Sequence, residues 1–318
     1  MRVGLLGLGR IGAFHAATLA GHPLVDELIV SDPVRSSPHG APGDPFEADA
    51  VVIATPTSTH AELIMKACRL GVPAFCEKPV AGTVADTVKV LEARAGNRVQ
   101  IGFQRRFDPG YVAAAHALRA GELGELHRVH LVTADPAPPP AAYLPLSGGL
   151  FRDCHIHDFD ILRWVTGREV VSVYARGANR GAAFFAEAGD VDNSAALLTL
   201  DDGTLATLQG SRYNGGGYDV RMELAGTLRT QAVGLGPRAP LHSAEGLPGV
   251  ESPWPDFVAR FETAYRAELD VFLRGGESPC SIEDALEALY VAEAADLSLR
   301  EGRPVEVAEV RRQGTSLR

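Results

Sequence analysis

Three side chains in this sequence could together manage a proton on a hydroxyl group. They are Lys78, within Glu77-Lys78-Pro79, and Asp153 and His157, within the run GGLFRDCHIHDFD that ends at Asp160. A histidine titrates where it can take up a proton near neutrality. An ammonium stabilises negative charge as it develops on an oxygen, and a carboxylate can orient either partner. Asp153 and His157 are four residues apart and share a face if the segment is helical, with Asp160 three residues beyond His157. Each also has a plainer reading. Asp153 could serve as a helix N-cap, His157 as a satisfied core histidine, and Lys78 as a solvated charge. Asp153, Cys154, His155 and His157 are also metal-ligating types, but no third ligand of suitable spacing accompanies them, so no metal is expected. His155 points away from the Asp153/His157 face and reads as structural or as lining a rim.

The elements that must position these groups follow from periodicity. An apolar run over 72–75 leads into Glu77 and reads as a strand, and Pro79 fixes φ just after the lysine. Strands are also expected at 2–6, 28–31, 51–54 and 99–103. Helices are expected at 11–20, from a Thr59/Glu62 capping box to Gly71, and at 83–93. This alternation predicts a doubly wound parallel sheet. Gly7, Gly9 and Gly12 form GxGxxG between the first strand and helix, and Asp32 follows Gly12 by twenty residues at a strand end. That context marks a dinucleotide site: a tight turn at Gly7, close approach of a pyrophosphate at Gly9, and helix–strand packing at Gly12. Arg10 and Ile11 open the helix whose N-terminus would receive the phosphates. The Asp32 charge favours NAD over NADP, which Arg35, Ser36 and Ser37 could partly accommodate. Ligands of such sheets bind beyond the carboxyl ends of the strands, where Lys78 also falls. With a nicotinamide there, the three side chains would suit oxidation of a secondary alcohol.

Beyond about residue 120 the pattern changes to period-two strands at 127–133, 170–175, 195–200, 204–210 and 219–225, with Asp202-Gly203 as a tight turn. Ser281 opens a last amphipathic helix with Ile282, Leu286, Leu289 and Ala292 on one face. The expected organisation is a dinucleotide-binding Rossmann domain over 1–118 and a substrate-binding and oligomerisation domain over 119–318. The second would be an α+β domain with a large open, mostly antiparallel sheet, its last helix free to pack back on the first. The chain has 318 residues, 46% apolar and 22% charged, enough for two cores. A net charge of −10 argues against nucleic acid, and no apolar run approaches the roughly 18 residues of a membrane span. No export leader is recognisable and the four cysteines lack metal-type spacing, so a cytoplasmic protein with free thiols is expected.

GLLGLGRIG, VVIATPTSTHAEL, CEKPVAGT, GFQRRFDP, DPAPPP, SGGLFRDCHIHDFDILRW, AGDVDNSA, GYDVRMELAG and AYRAELDVFLRGG together resemble the Gfo/Idh/MocA oxidoreductases, and within them bacterial inositol 2-dehydrogenases, over nearly the whole chain. By that resemblance Lys78, Asp153 and His157 match the catalytic trio, with His157 the proton acceptor. Asp160 and Tyr218 match positions expected to bind polyol hydroxyls, although Tyr218 also reads as an ordinary strand-end tyrosine. Thr55 and Pro56 match the turn along the nicotinamide half of NAD, Glu77 a residue near its ribose, and His60 is placed with the cofactor site. The resemblance also implies a homo-oligomer, dimer or tetramer, and a cis Lys78-Pro79 bond. It implies NAD-dependent oxidation of a cyclic polyol, with myo-inositol first and another inositol isomer, an aminocyclitol or a pyranose sugar as alternatives. An NAD-dependent glycoside hydrolase and a non-catalytic NAD-binding regulator remain as readings of a different class. One stretch departs from the family. Only residues 33–50, with prolines at 33, 38, 42 and 45, stand where relatives usually place a helix, a strand and a helix. A layer on the adenosine side is expected to be missing or reduced to a loop.

Overall fold

The computed structural model describes residues 1–244 and 251–315. The chain forms two compact units, Met1–Phe107 with Thr263–Glu287 and Asp108–Glu262 with Ala288–Arg318.

The first unit runs β1 (Arg2–Leu6), α1 (Arg10–Ala20), β2 (Glu27–Ser31), β3 (Ala41–Pro42), β4 (Ala50–Ile53), α2 (Thr57–Leu70), β5 (Ala74–Glu77), α3 (Val84–Ala93) and β6 (Val99–Gly102). Its strands are all parallel, in the order β3-β2-β1-β4-β5-β6. β4 is buried at every position and reads AVVI, as a parallel strand covered on both faces requires. The order reverses between β1 and β4, which places a crevice at their carboxyl ends. Segment 263–287 adds Leu269, Phe272 and Leu273 to the apolar cluster of Val3, Leu5, Val52 and Phe75.

The Thr59/Glu62 capping box does not form, because α2 starts two residues earlier, at Thr57, with Pro56 as its cap. The Thr59 hydroxyl instead lies 2.7 Å from Thr55 Oγ1 and 2.9 Å from the Pro56 carbonyl oxygen. Residues 33–50 hold only the dipeptide strand β3 and one 3₁₀ turn, Pro45–Glu47. That turn closes over β1 because Gly4 has no side chain, and a Cβ there would collide with Pro45. Phe46 is buried in the same place, with the Lys66 ammonium 3.9 Å from its ring centroid. Burying one such side chain is worth about 2 kcal/mol, so a short turn covers a sheet face that a helix would otherwise cover.

The second unit contains α4 (Pro109–Arg119), β7 (Leu126–Ala134), α5 (Leu144–Ser147), α6 (Ile156–Thr166), β8 (Val170–Ala178), α7 (Phe184–Glu187), β9 (Asn193–Leu200), β10 (Leu205–Ser211), β11 (Asp219–Gly226) and β12 (Thr230–Val233). α8 (Phe257–Arg274) and α9 (Ile282–Glu301) each run from one unit into the other, and β13 (Val305–Glu306) and α10 (Val307–Thr315) follow. The sheet order is β12-β11-β7-β10-β9-β8-β13, with β7 and β10 its parallel pair and the other neighbours antiparallel. Alternation along β9 and β10 buries one face and leaves the other open, exposing Leu197 and Leu205. Gly203, at φ +88°, makes the turn between them, as Asp202-Gly203 predicts. Helix α4 belongs to this unit, whereas a boundary at 118 would assign it to the first. Asp108 caps it through the Gly110 N–H (3.0 Å) and holds Arg260 Nη1 at 2.7 Å. The returning segment carries the end of α8 and the first turn of α9 into the first unit.

Candidate active site

In the first unit the glycine loop has the shape of an anion cradle. Gly7 sits at φ +90°, and a Cβ there would strike the Ala54 carbonyl at the end of β4. A Cβ on Gly12 would collide with the Gly7 carbonyl oxygen, so α1 could not pack so close to β1. Gly9 caps α1 with no side chain in the way, and open space lies where its Cβ would be. No side chain caps the first-turn N–H groups of α1 and no acidic residue occupies that turn, which leaves donors and the helix dipole for a phosphate. These features fit a bound dinucleotide. Gly12→Ala is therefore expected to weaken NADH binding at least about tenfold by fluorescence titration. Unchanged affinity in that variant would remove Gly12 from the cradle.

Asp32 closes the loop from the β2 side. Its Oδ2 accepts the Leu8 N–H at 2.7 Å, and its Oδ1 accepts the Val34 and Arg35 N–H groups, each at 2.8 Å. The Leu8 and then the Val34 hydrogen bonds hold its carboxyl below the ordinary range, so it stays charged where a 2′-phosphate would be repelled. Arg10 and Ile11 open α1, as expected.

At the next two strand ends, His60 is buried between the Thr55 and Pro79 carbonyl oxygens, 2.8 Å from Nε2 and 2.7 Å from Nδ1. It ties together the turn after β4, with Thr55 and Pro56, and the turn after β5, with Lys78. Its place in a cofactor site is thus as a brace for these two turns. Lys78 and Thr55 are half-buried, Pro56 is exposed, and the Lys78-Pro79 bond is cis. Glu77 Oε1 lies 2.7 Å from His15 Nε2.

In the second unit Gly148 and Gly149, at φ +79° and +90°, turn the chain into a π-helical turn, Phe151–His155, that continues as α6. Asp153 lies in that wider turn and His157 in α6, so the two do not share one regular α-helix as the spacing suggests. Asp153 is not an N-cap. Its Oδ1 accepts the Tyr143 hydroxyl at 2.9 Å, and its Oδ2 accepts Arg212 Nη2 at 2.6 Å. Arg212 Nη1 reaches Asp135 Oδ2 at 3.0 Å and Cys154 Sγ at 2.8 Å. Burial alone would weaken the Arg212 cation, but the charges of Cys154, Asp153 and Asp135 outweigh it and raise its pKa. Burial and then the Asp153 charge push the Tyr143 phenol up, keeping it a donor.

Strand register explains why these residues converge. Ser211 of β10 and Asp219 of β11 both pair with Ala134 of β7, so Asp135, Arg212 and Tyr218 leave the sheet at one level. Tyr218 is buried at the start of β11 and bonds through its N–H to the Trp254 carbonyl (3.1 Å). Asp160 is fully buried on α6. His155 is structural: its ring lies 2.7 Å from Asp158 Oδ2 and 2.7 Å from Ser194 Oγ, and a Cβ on Gly210 would collide with it. Arg212 and Tyr143 lie in none of the sequence motifs, and Asp135, although it opens DPAPPP, gains its role only through the fold. The four cysteines are free, and no group of three potential ligands able to hold a metal ion occurs among the described residues. No helix among them is long and apolar enough to cross a membrane.

The fold and the glycine cradle define a dinucleotide-binding oxidoreductase, and comparison with known proteins refines this. Residues 30–103 match the oxidoreductase family with an NAD-binding Rossmann fold, and residues 111–230 match the GFO/IDH/MocA C-terminal domain. An inositol 2-dehydrogenase of Rhizobium meliloti strain 1021 is 36% identical over 329 residues, covering 97% of this chain and 99% of its own. A scyllo-inositol 2-dehydrogenase (NAD(+)) of Bacillus subtilis strain 168 is 35% identical, covering 100% and 99%. A solved scyllo-inositol dehydrogenase from Lactobacillus casei, with bound NAD(H) and scyllo-inositol, superposes with a TM-score of 0.85 at 29% identity, covering 97% and 99%. The chain belongs to the GFO/IDH/MocA family of oxidoreductases, and its cofactor is NAD.

Proposed function

We propose that this protein oxidises a secondary hydroxyl of a cyclic polyol, with myo-inositol as the first candidate and scyllo-inositol, other isomers, aminocyclitols and pyranoses behind it. Bound NAD supplies the hydride acceptor, held by the Gly7–Gly12 loop, Asp32 and the Thr55-Pro56 turn. His157 accepts the hydroxyl proton, and Lys78 stabilises the charge that builds on the oxygen. Asp153 orients the array; both its oxygens are already engaged, by Tyr143 and Arg212, so it is poorly placed to take a proton itself. Asp160 and Tyr218 are assigned to the polyol hydroxyls. The observation that carries this reading is Asp153 clamped by Tyr143 and Arg212 four residues before His157, because a regulator without turnover has no use for a carboxylate fixed in this way.

The open face of the second sheet, with Val171, Tyr174, Leu197 and Leu205 exposed, suits association into a dimer or tetramer, and the free thiols suit a cytoplasmic setting. The decisive experiment follows NADH absorbance over a panel of inositols, aminocyclitols and sugars with NAD and NADP in parallel. Steady NADH production from one or more cyclitols is expected, with NAD preferred. Glycoside cleavage without NADH accumulation would turn the assignment to a hydrolase, and no turnover with either cofactor would sink it.

A further inference from the structure

Glu268, on the part of α8 that belongs to the first unit, is fully buried, and neither carboxyl oxygen meets a hydrogen-bond donor among the described residues. Two other buried atoms of the same unit, on Gln100 and His15, are likewise acceptors without a donor. Gln100 of β6 commits its amide N–H to the Glu268 backbone carbonyl (2.9 Å), and its Oε1 is left without a donor. His15 of α1 turns Nε2 toward Glu77, so in the neutral ring Nε2 carries the proton and the buried Nδ1 is a further unmatched acceptor. Phe14, Phe75 and Tyr265 pack their rings around His15 at 6.0, 5.8 and 6.1 Å between centroids. The charged and titratable groups on the elements packed here include Glu77 and the buried Cys76 from β5, Arg10 and His15 from α1, Arg98 from β6, which donates to the Phe272 carbonyl (2.8 Å), and Glu262, Tyr265, Arg266, Asp270 and Arg274 on the same helix. No cation among the described residues is paired with Glu268. Ionised, it would be a second buried negative charge near Glu77 with nothing to stabilise it.

We propose that Glu268 is a positioning residue for the cofactor end of β5: as an uncharged carboxylic acid it backs the Glu77–His15 pair and leaves Glu77 as the one negative charge where the chain enters Lys78-Pro79. Its effect on the cofactor rests on Glu77 facing the nicotinamide ribose. Burial, and then the Glu77 charge, push the Glu268 carboxyl well above the ordinary range. The folded state therefore binds this proton more tightly than the unfolded chain. The resulting stability is complete below the ordinary carboxyl range and declines as pH rises toward the folded-state value.

Glu268→Gln keeps the shape and a donor but cannot ionise. Thermal unfolding and NADH fluorescence titration of the wild-type and variant chains between about pH 6 and pH 9 test the idea. The wild-type Tm is expected to fall more steeply with pH, so that Glu268→Gln gains relative stability toward pH 9. NADH Kd is expected to agree within about threefold at pH 6 and to favour the variant at pH 9. Parallel Tm curves, or a variant already destabilised at pH 6, would overturn the uncharged state. A Tm signature without any difference in the pH dependence of NADH Kd would overturn the positioning role, leaving the assigned oxidation itself untouched. If the variant does not fold, infrared spectroscopy of the wild-type chain decides: a protonated-carboxyl band at neutral pH sustains the proposal, and its absence overturns it.

Discussion

Replacing His157 by alanine is expected to lower kcat/KM for the polyol by roughly 10²–10⁴-fold while leaving NADH affinity close to wild type. The effect should fall on kcat, because the proton acceptor acts in the transition state and adds little to ground-state binding. Loss of the acid limb of the pH–rate profile would accompany it, since that limb reports protonation of the acceptor. Lys78→Met, which keeps length and removes the ammonium, is expected to cost a similar amount by withdrawing the charge that stabilises the developing alkoxide. Combining the two should cost much less than the sum of the separate losses, as is usual for groups that act as a unit. Single-turnover measurement of NADH formation, alongside fluorescence titration of NADH, separates the chemical step from binding. Near-wild-type kcat/KM in either single variant would remove that residue from the reaction.

What the sequence discloses about such a site depends on how local the physics is. The cradle is legible because Gly7, Gly9 and Gly12 respond to constraints within one turn, and the twenty-residue step to Asp32 is set by a single strand–helix–strand crossover. The second sheet is legible from two-residue alternation, which the burial of β9 and β10 reproduces. The reduction of residues 33–50 is also legible, since eighteen residues with four prolines cannot hold three elements. Its replacement, Pro45 closing over Gly4, needs the tertiary contact. The clamp on Asp153 is illegible for a related reason. Arg212 lies 59 residues downstream, where the parallel register of β7 and β10 sets it beside Asp135 and the packing of the turn Phe151–His155 brings Asp153 to it. Periodicity identifies strands but not their register, so it cannot place a side chain at a strand end against one from a helix. His60 shows the complementary limit: a motif places it near the cofactor, whereas its two carbonyl neighbours show it bracing the turns.

Arg212 is where the second large effect is expected. Its side chain is 4% exposed and faces Asp135 and Asp153, so Arg212→Ala would leave two half-buried acidic groups without their cation. Removing one member of a buried charge cluster typically costs about 3–5 kcal/mol, which urea denaturation would register as a large drop in midpoint. Arg212→Lys keeps the charge but not the planar fork that spans Asp153, Asp135 and Cys154. It is expected to fold with a smaller stability loss and to lose kcat about tenfold or more, with little change in NADH affinity. Arg212 acts on the reaction through Asp153, and this distinguishes it from a residue that only supports the fold. In a double-mutant cycle of Arg212→Lys and Asp153→Asn the activity losses should therefore overlap, the double variant being hardly worse than Asp153→Asn alone. Additive losses would assign Arg212 to the fold alone. Tyr143→Phe supplies a graded control. It removes one hydrogen bond to Asp153 without unpairing a buried charge, and a stability cost of about 1 kcal/mol with a modest fall in kcat is expected.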